Sequence, residues 1–240
     1  MTPVEPVASA NEEAIEAWDG VLFDRFVKFR DIVTAGLVAH GEEALRVHPP
    51  QPGDRVLDVC AGPGGKTGHL ACLVGSEGRV VAADVSLARL ELVRATIERL
   101  GVSAELLVQD GRRPAVQDGF DRILVDAPCS GIGSARRRPE LLWRARKDEL
   151  AGLARLQVGI ATAAAGLLRP GGRLVYCVCT FPRAEADAAC DAIVRRAPEL
   201  EPVEIAGPDG PADRIRLWPH LHGCDAMFVA AFRGRATSRG

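Results

Sequence analysis

The sequence lacks the features that would direct it to a membrane or a secretory compartment. No window approaches the roughly 18 uncharged apolar residues that a membrane-spanning helix needs. The N-terminus, MTPVEPVASANEEAIEAW, has neither a basic start nor an apolar run, so we expect no secretory signal. The seven cysteines are odd in number and include no C-x-x-C pair, which argues against disulfides and structural zinc. We therefore expect a cytoplasmic chain with free thiols and no metal.

Strand and helix signals alternate from about residue 55 onward. Apolar runs typical of buried strands occur at Arg55–Cys60, Arg79–Asp84, Ala104–Val108, Asp121–Asp126, Arg173–Cys179 and Ala226–Phe232. Helices are predicted at Thr67–Val74, Leu87–Leu100, 148–168 and Ala184–Arg196. Pro170-Gly171-Gly172 is expected to end the third of these helices. This alternation predicts an α/β fold with a mainly parallel, doubly wound sheet, whose ligands bind beyond the carboxyl ends of the strands.

The first 50 residues do not follow this alternation. Phe23–Val47 has the pattern of one or two amphipathic helices. The segment Pro49-Pro50-Gln51-Pro52-Gly53 is typical of a linker. We therefore expect a helical extension at residues 1–50 and a separate sheet domain at residues 51–240.

A glycine-rich turn, CAGPGGKT, directly follows the first predicted strand and would let the backbone approach a ligand. A P-loop does not fit, because Cys60 stands where its first glycine belongs. A dinucleotide fingerprint also fails, because Thr67 takes the place of its last glycine. A looser Gly-x-Gly turn of the methyltransferase kind remains, with Asp84 placed to bind ribose hydroxyls and Asp110 to contact an adenine. A turn that is merely tight is the alternative.

These positions favour S-adenosylmethionine as the cofactor. The candidate cofactor-binding residues are Cys60, Ala61, Gly62, Pro63, Gly64, Gly65, Lys66, Asp84, Arg89, Asp110 and Asp126.

Two cysteine-containing turns follow the fourth and fifth predicted strands, DAPCSG at Asp126–Gly131 and YCVCT at Tyr176–Thr180. Adjacent parallel strands would bring two thiols and a carboxylate together at one edge of the sheet. A thiolate there would add to C6 of a cytosine and make C5 nucleophilic enough to attack a methyl sulfonium. A base would then remove the C5 proton, and the thiol would be eliminated.

Four segments, VLDVCAGPGGKT, DAPCSGIGSARRRPELLWR, LVYCVCTFPRAEAD and LWPHLHGCDAMFVAAF, resemble the RNA 5-methylcytosine methyltransferases. That family contains the bacterial 16S rRNA cytosine methyltransferase B and the Nop2/Sun proteins, and the resemblance covers residues 54–233. It implies a Rossmann-like class I methyltransferase fold with a seven-stranded sheet. It also implies S-adenosylmethionine-dependent methylation of an RNA cytosine at C5, with 16S rRNA preferred and tRNA second.

The resemblance also implies the roles of individual residues. Cys179 would be the nucleophile, Cys129 would assist release of the methylated product, Asp126 would hold the target base and Lys66 would order the site. The sequence departs from the family's usual Thr-Cys-Ser, because Val178 precedes the nucleophile here. Period-two alternation also places Cys177 on the same strand face, so it is a rival nucleophile.

The net charge of −2 does not indicate a nucleic-acid-binding protein, but residues 136–147 contain six basic residues and one acidic residue. This segment follows the first cysteine turn directly, which favours contact with RNA phosphates over a solvated helix start. The candidate RNA-binding residues are Arg136, Arg137, Arg138 and Arg144. Trp143 is expected either to stack on a base or to pack in the core.

Three further interpretations stay open. His220 and His222 have no third ligand nearby, so loop packing is favoured over a metal site. Tyr176, Phe181 and Phe228 are expected in the core or the pocket wall rather than as base-stacking platforms. Residues 1–50 are shorter than the usual N-terminal RNA-binding domain and resemble the leader of small-molecule class I methyltransferases. A small-molecule methyltransferase and a non-catalytic RNA scaffold are therefore the alternatives.

Overall fold

A computed structural model describes residues 50–117, 119–144 and 146–235, apart from the side chains of Arg144 and Lys147. The helical extension expected before residue 50 lies outside these residues. Within them, no helix is both long and apolar enough to cross a membrane.

One sheet contains all of the strands in the described part of the chain. The strands are β1 (Arg55–Asp58), β2 (Arg79–Asp84), β3 (Glu105–Val108), β4 (Phe120–Asp126), β5 (Leu168–Val178), β6 (Leu200–Pro202), β7 (Arg214–Leu217) and β8 (Met227–Gly234). The helices are α1 (Gly65–Val74), α2 (Leu87–Leu100), α3 (Glu140–Arg144), α4 (Lys147–Ala165), α5 (Asp187–Arg196) and α6 (Pro219–His222). A short 3-10 turn covers Ile132–Ser134.

The strand order is β3-β2-β1-β4-β5-β8-β6, and β7 also pairs with β8. The strands from β1 to β5 are parallel to one another, whereas β8 runs antiparallel to β5. The strands β6 and β7 pair with different halves of β8. The strands β6 and β7 therefore share one position beside β8, so the eight strands fill seven positions in the sheet. The predicted doubly wound, mostly parallel sheet is confirmed.

Both faces of the sheet are buried, which explains why its strands are apolar runs rather than alternating patterns. On β1, Val56 packs with α1 residues such as Ala71, whereas Leu57 packs with α4 residues such as Ala161. Both β1 side chains are 0% exposed. Helices therefore cover both faces, and the carboxyl edge of the sheet stays open for a ligand.

The boundary between the fourth helix and the fifth strand was predicted wrongly. Helix α4 ends at Ala165 rather than at 168, and β5 begins at Leu168 rather than at 173. The predicted stop, Pro170-Gly171-Gly172, lies inside β5. Leu168 pairs with Phe120, and an irregularity in the register between Phe120 and Arg122 absorbs the extra residues. The short strands β6 and β7 were not predicted, because they lack a long apolar run.

The 3-10 turn provides a test of close backbone packing. The Gly133 N–H donates to the Cys179 carbonyl at 3.1 Å, and the Gly133 carbonyl accepts from Ala226 N–H at 3.0 Å. A methyl group on Gly133 would overlap the Ala226 carbonyl and lie 2.7 Å from the Cys179 carbonyl oxygen. We expect Gly133→Ala to lower the free energy of unfolding by about 2 kcal/mol or more, measured by urea denaturation.

Gly152→Ala is the matched control, because Gly152 lies inside α4 with nothing within 4 Å of the added methyl. This change should raise the free energy of unfolding by about 0.5–1 kcal/mol, since alanine favours the helix. Equal effects of the two substitutions would contradict the packing described for the turn.

Candidate active site

The cysteine turns meet where β4 and β5 end. Asp126 and Cys177 are direct partners in the parallel register of these strands. The turn after β4 contains Cys129 and the turn after β5 begins with Cys179. Their Sγ atoms lie 3.4 Å apart, so the fold brings the two thiols into contact.

The thiol pair and the glycine-rich turn face one cavity of about 630 Å³. The predicted site residues that line it are Cys60, Gly62, Asp84, Arg89, Asp110, Asp126, Cys129, Arg138 and Cys179. The predicted residues outside its lining are Ala61, Pro63, Gly64, Gly65, Lys66, Arg136 and Arg137. A ligand bound against the glycine turn would therefore share a single cavity with the two sulfurs.

Asp84, at the end of β2, is held by the glycine turn. Its Oδ2 accepts from the Gly62 N–H at 3.1 Å, and its Oδ1 accepts from the Ser86 N–H at 3.0 Å. Arg89 lies 3.7 Å from the same Oδ2 and donates to the Gly62 carbonyl at 3.1 Å. A Cβ on Gly62 would lie 2.6 Å from Arg89 Cβ, so only glycine fits between these side chains.

Ala61 and Gly64 of the glycine turn shape the loop rather than the cavity wall. Ala61 is 5% exposed and packs with Leu90 of α2. Gly64 has φ 106°, and a Cβ there would lie 2.8 Å from the Val93 Cα. Burial raises the pKa of Cys60 to about 12, so this thiol stays neutral.

Asp110 lies beyond β3 and forms an ion pair with Arg112 at 2.6 Å. Hydrogen bonds from Arg112 lower the pKa of Asp110 to about 2. Val85, which sequence reasoning missed, lines the same part of the cavity and is 71% exposed. An apolar surface beside a carboxylate would suit a flat heterocycle with polar edges.

Asp58 was also missed, although it precedes the glycine turn directly. It is 1% exposed, and its Oδ2 accepts from the Thr67 hydroxyl at 2.7 Å. Its Oδ1 is buried without a hydrogen-bond partner among the described residues. Burial raises the pKa of Asp58 to about 6. Its position in the sequence could have identified it, because Asp58 is the last residue of β1 as Asp84 is the last residue of β2.

Asp126 lies between a cation and a thiol. Lys66 Nζ contacts its Oδ2 at 2.5 Å, and Cys177 Sγ donates to its Oδ1 at 3.4 Å. Lys66 therefore reaches the site through Asp126. Burial, followed by the charge of Asp126, raises the pKa of Cys177 well above its ordinary value. Cys177 is a neutral donor, which argues against it as the nucleophile.

The contact between Cys129 and Cys179 makes the two thiols unequal. A hydrogen bond from the Cys129 thiol lowers the pKa of Cys179, against the opposing effect of burial. The Cys179 backbone and the Ser134 side chain also stabilise its thiolate. The same contact, together with burial, raises the pKa of Cys129. Cys179 is thus the thiol that ionises more readily and Cys129 is the proton donor.

A buried carboxylate, Glu185, ties the cysteine turns together. It is 0% exposed and accepts from the Ser130 N–H at 2.9 Å and from the Ser130 hydroxyl at 2.6 Å. Gln157 of α4 donates to it at 2.9 Å and to the Pro128 carbonyl at 3.0 Å. The Tyr176 hydroxyl donates to the Glu185 carbonyl at 2.7 Å. Glu185 is not among the site residues expected from the sequence.

Comparison with known proteins identifies the family of this chain. The family model described as 16S rRNA methyltransferase RsmB/F matches residues 45–233. The chain belongs to the RsmB/F family. A solved structure of NSun6 from Pyrococcus horikoshii with SFG is 33% identical, with a TM-score of 0.71 over 80% of this chain and 51% of that one. The class I methyltransferase fold expected from the sequence is therefore confirmed.

Two curated relatives are similar over most of the chain. The ribosomal RNA small subunit methyltransferase B of Klebsiella pneumoniae is 40% identical over 80% of this chain and 44% of its own length. A Mycobacterium tuberculosis protein named as a methyltransferase is 45% identical over 77% of this chain and 42% of its own length. The chain thus spans less than half the length of these relatives of the RsmB/F family.

The arginines of this RsmB/F chain extend from the cavity along the 3-10 turn and are paired with acidic residues. Arg137 contacts Asp225 at 2.5 Å, Arg136 lies 3.8 Å from it, and Arg138 contacts Glu140 at 3.2 Å. The Arg138–Glu140 pair is exposed and contributes little free energy, whereas Asp225 is largely buried and holds Arg137 through a bidentate contact. The predicted Arg144 side chain lies outside the described residues.

The structure also shows the surroundings of Trp143 and His222. Trp143 is 84% exposed, which excludes packing in the core and leaves stacking on a base as the other interpretation. His222 Nδ1 accepts from the Trp218 N–H at 2.9 Å, which gives this histidine a structural role. No cluster of three metal-ligating side chains occurs among the residues that the structure describes.

The unequal thiol pair predicts a shift in reactivity. Cys129→Ala removes the donor to Cys179, so the pKa of the Cys179 thiol should rise and its alkylation midpoint should move up by about one pH unit or more. Cys129→Ser keeps a donor and should shift the midpoint less. Alkylation by iodoacetamide, resolved by peptide mass spectrometry, measures both, with the exposed Cys72 as the internal reference. An unchanged midpoint in Cys129→Ala would rule out the hydrogen bond.

Asp58 predicts a pH-dependent stability. Its folded-state pKa of about 6 lies above the ordinary value of 3.8, so ionisation costs folding free energy. This cost is complete above the folded-state pKa and disappears as the pH falls below the unfolded value. Asp58→Asn keeps an acceptor for Thr67. It should raise the free energy of unfolding by up to about 3 kcal/mol at about pH 8 and change it little at about pH 4. Urea denaturation at both values tests this, and a gain of the same size at both would contradict it.

Proposed function

We propose that this chain is an S-adenosylmethionine-dependent RNA (cytosine-C5) methyltransferase that acts through a covalent bond between Cys179 and C6 of the target base. The observation that best supports this proposal is the contact of 3.4 Å between the Cys129 and Cys179 sulfurs. These thiols share one cavity with the glycine turn and Asp84. A small-molecule methyltransferase has no use for such a pair, whereas addition to a pyrimidine requires a thiolate and a proton carrier.

The cavity residues fit S-adenosylmethionine, which supplies a methyl sulfonium when bound. Asp84 would accept hydrogen bonds from its ribose hydroxyls, and Val85 and Asp110 would contact its adenine. The carboxylates of Asp84 and Asp110 both line the cavity and would suit the hydrogen-bond donors and the positive charge of this cofactor. The SFG in the NSun6 structure is an analogue of S-adenosylmethionine, which supports the same assignment.

The protein's own groups would divide methyl transfer into two easier steps. The Cys179 thiolate would form a bond to C6, which would make C5 nucleophilic as part of an enamine conjugated with N3 and O2. C5 would then take the methyl group from the sulfonium, whose sulfur would keep the electron pair of the broken bond. After transfer, the Cys129 thiol would pass its proton to the Cys179 sulfur as the bond from C6 to that sulfur breaks, and the Cys129 thiolate so formed would take the C5 proton as the C5–C6 double bond forms again. Asp126, held by Lys66 and Cys177, would bind the polar edge of the cytosine.

We infer that the RNA is ribosomal, with 16S rRNA preferred and tRNA second. The name of the Klebsiella pneumoniae relative, ribosomal RNA small subunit methyltransferase B, supports this choice. Arg136, Arg137 and Arg138 would bind its phosphates next to the cavity mouth. A protein with such a substrate would act in the cytoplasm. Residues 51–240 would form its catalytic domain.

Trapping of the covalent intermediate tests the proposal. Cys129→Ala should form methylated RNA that stays attached to Cys179, because the proton carrier for release is missing. Denaturing electrophoresis with labelled S-adenosylmethionine and rRNA would show a labelled protein–RNA band that ribonuclease removes. In the Cys129→Ala background, Cys179→Ala should give neither band nor methylated RNA, whereas Cys177→Ala should retain both.

Two outcomes would contradict this mechanism. A labelled adduct that persists in Cys179→Ala would assign the nucleophile to another thiol. Transfer of label to a small molecule but never to RNA, by a protein with a normal unfolding transition, would favour the small-molecule alternative. Bisulfite sequencing of rRNA and tRNA from cells with and without the gene would then identify the methylated cytosine.

A further inference from the structure

Three aromatic rings form a row that begins beside the nucleophile turn. The Phe181 and Trp218 ring centroids are 5.9 Å apart, and those of Trp218 and His220 are 6.2 Å apart. We name these three residues the aromatic row. Phe181 is 39% exposed and does not line the cavity, so, contrary to expectation, it lies neither in the core nor in the pocket wall. Tyr176 and Phe228, by contrast, are 0% exposed and agree with that expectation.

Hydrogen bonds hold the chain in place at both ends of the aromatic row. Phe181 follows Thr180, whose hydroxyl lies 2.8 Å from the Ser130 hydroxyl and 3.4 Å from Glu185. Trp218 precedes α6, and its backbone N–H donates to His222 Nδ1. Aromatic rings held in this way lose little further conformational freedom when they bind a ligand.

The row and the arginines approach the cavity through the same backbone junction. Gly133 hydrogen-bonds to Cys179 on one side and to Ala226 on the other. Phe181 lies two residues after Cys179, and Arg137 is held by Asp225, the neighbour of Ala226. The nucleophile turn thus leads to exposed rings along one segment and to exposed positive charge along another.

We propose that the aromatic row stacks on an unpaired nucleotide that flanks the target cytosine. This inference rests on the proposed RNA methyltransferase function. A cytosine must leave its stack before C6 can reach Cys179, and its neighbour then loses a stacking partner. In the row, Phe181 and His220 are exposed and Trp218 is half-buried. Aromatic rings replace the lost partner regardless of base identity, because every base has a π-face. The arginines bind the accompanying phosphates.

The chemistry of the row distinguishes this ligand from a duplex or a protein. A-form duplex keeps its bases stacked and presents backbone and hydroxyl groups, so rings gain nothing from it. The proposed ligand is therefore single-stranded RNA at the target position. Trp218 is the residue to test, since its ring contacts both other members of the row.

Tryptophan fluorescence provides a direct readout. The chain has three tryptophans. In a variant with Trp18→Phe and Trp143→Phe, only Trp218 emits. A single-stranded RNA that contains the target cytosine should quench this emission. The same RNA with abasic sites on both sides of the cytosine should quench it much less, and heparin, an anionic polymer without bases, should not quench it.

Binding and kinetics provide the second test. Trp218→Ala should weaken the affinity for single-stranded RNA and raise KM for it by about 5- to 150-fold, with kcat at saturating RNA close to that of the wild type. Trp218→Phe keeps a ring and should restore most of the affinity. Binding of S-adenosylmethionine, measured by calorimetry, should be equal in all three proteins, which shows that the cavity is intact.

The outcomes separate this proposal from the function on which it rests. If wild-type protein methylates RNA but Trp218→Ala binds it as tightly as wild type, stacking by the row is overturned and the function stands. Equal quenching by heparin and by RNA would also overturn stacking. If wild-type protein neither binds nor methylates any RNA, the proposed function fails together with this inference.

Discussion

The parallel register between β4 and β5 is the constraint on which the site depends. It pairs Asp126 with Cys177, so the turns that follow bring Cys129 and Cys179 into contact. Successive residues of a strand point to opposite faces, and a slip of one residue would turn the thiol at 177 away from Asp126. The buried apolar residues of both strands hold this register, which links core packing directly to the geometry of the sulfurs.

Glu185 holds the two cysteine turns in a fixed arrangement beyond the ends of these strands. Strand pairing ends at Asp126 and Val178, so the cysteine turns need a separate support. Glu185 provides it through Ser130 and Gln157, and all of its partners are donors. A buried carboxylate that lost these donors would be strongly destabilising, by about 3–5 kcal/mol. The same group therefore contributes to folding and to the distance between the two sulfurs.

The thiols differ although they have the same chemistry, because each meets a different environment. Cys177 is buried against Asp126, which keeps it protonated, whereas Cys179 accepts a hydrogen bond that favours its thiolate. Cys129 donates that bond and stays neutral. Burial disfavours all three thiolates, so the hydrogen-bond donors decide which sulfur ionises. A nucleophile and a proton carrier thus arise from two adjacent cysteines without a histidine.

Local patterns in the sequence are enough to predict the α/β architecture, the glycine turn and the two cysteine turns. Apolar runs mark strands buried on both faces, and glycine at position 62 marks a backbone that Arg89 and Asp84 crowd. Only the tertiary structure decided the early start of β5, because its pairing with Phe120 outweighs the local signal of Pro170-Gly171-Gly172. It also decided the roles of Asp58 and Glu185 and the exposure of Phe181. Burial and hydrogen-bond partners arise between segments far apart in the chain, so no local pattern contains them.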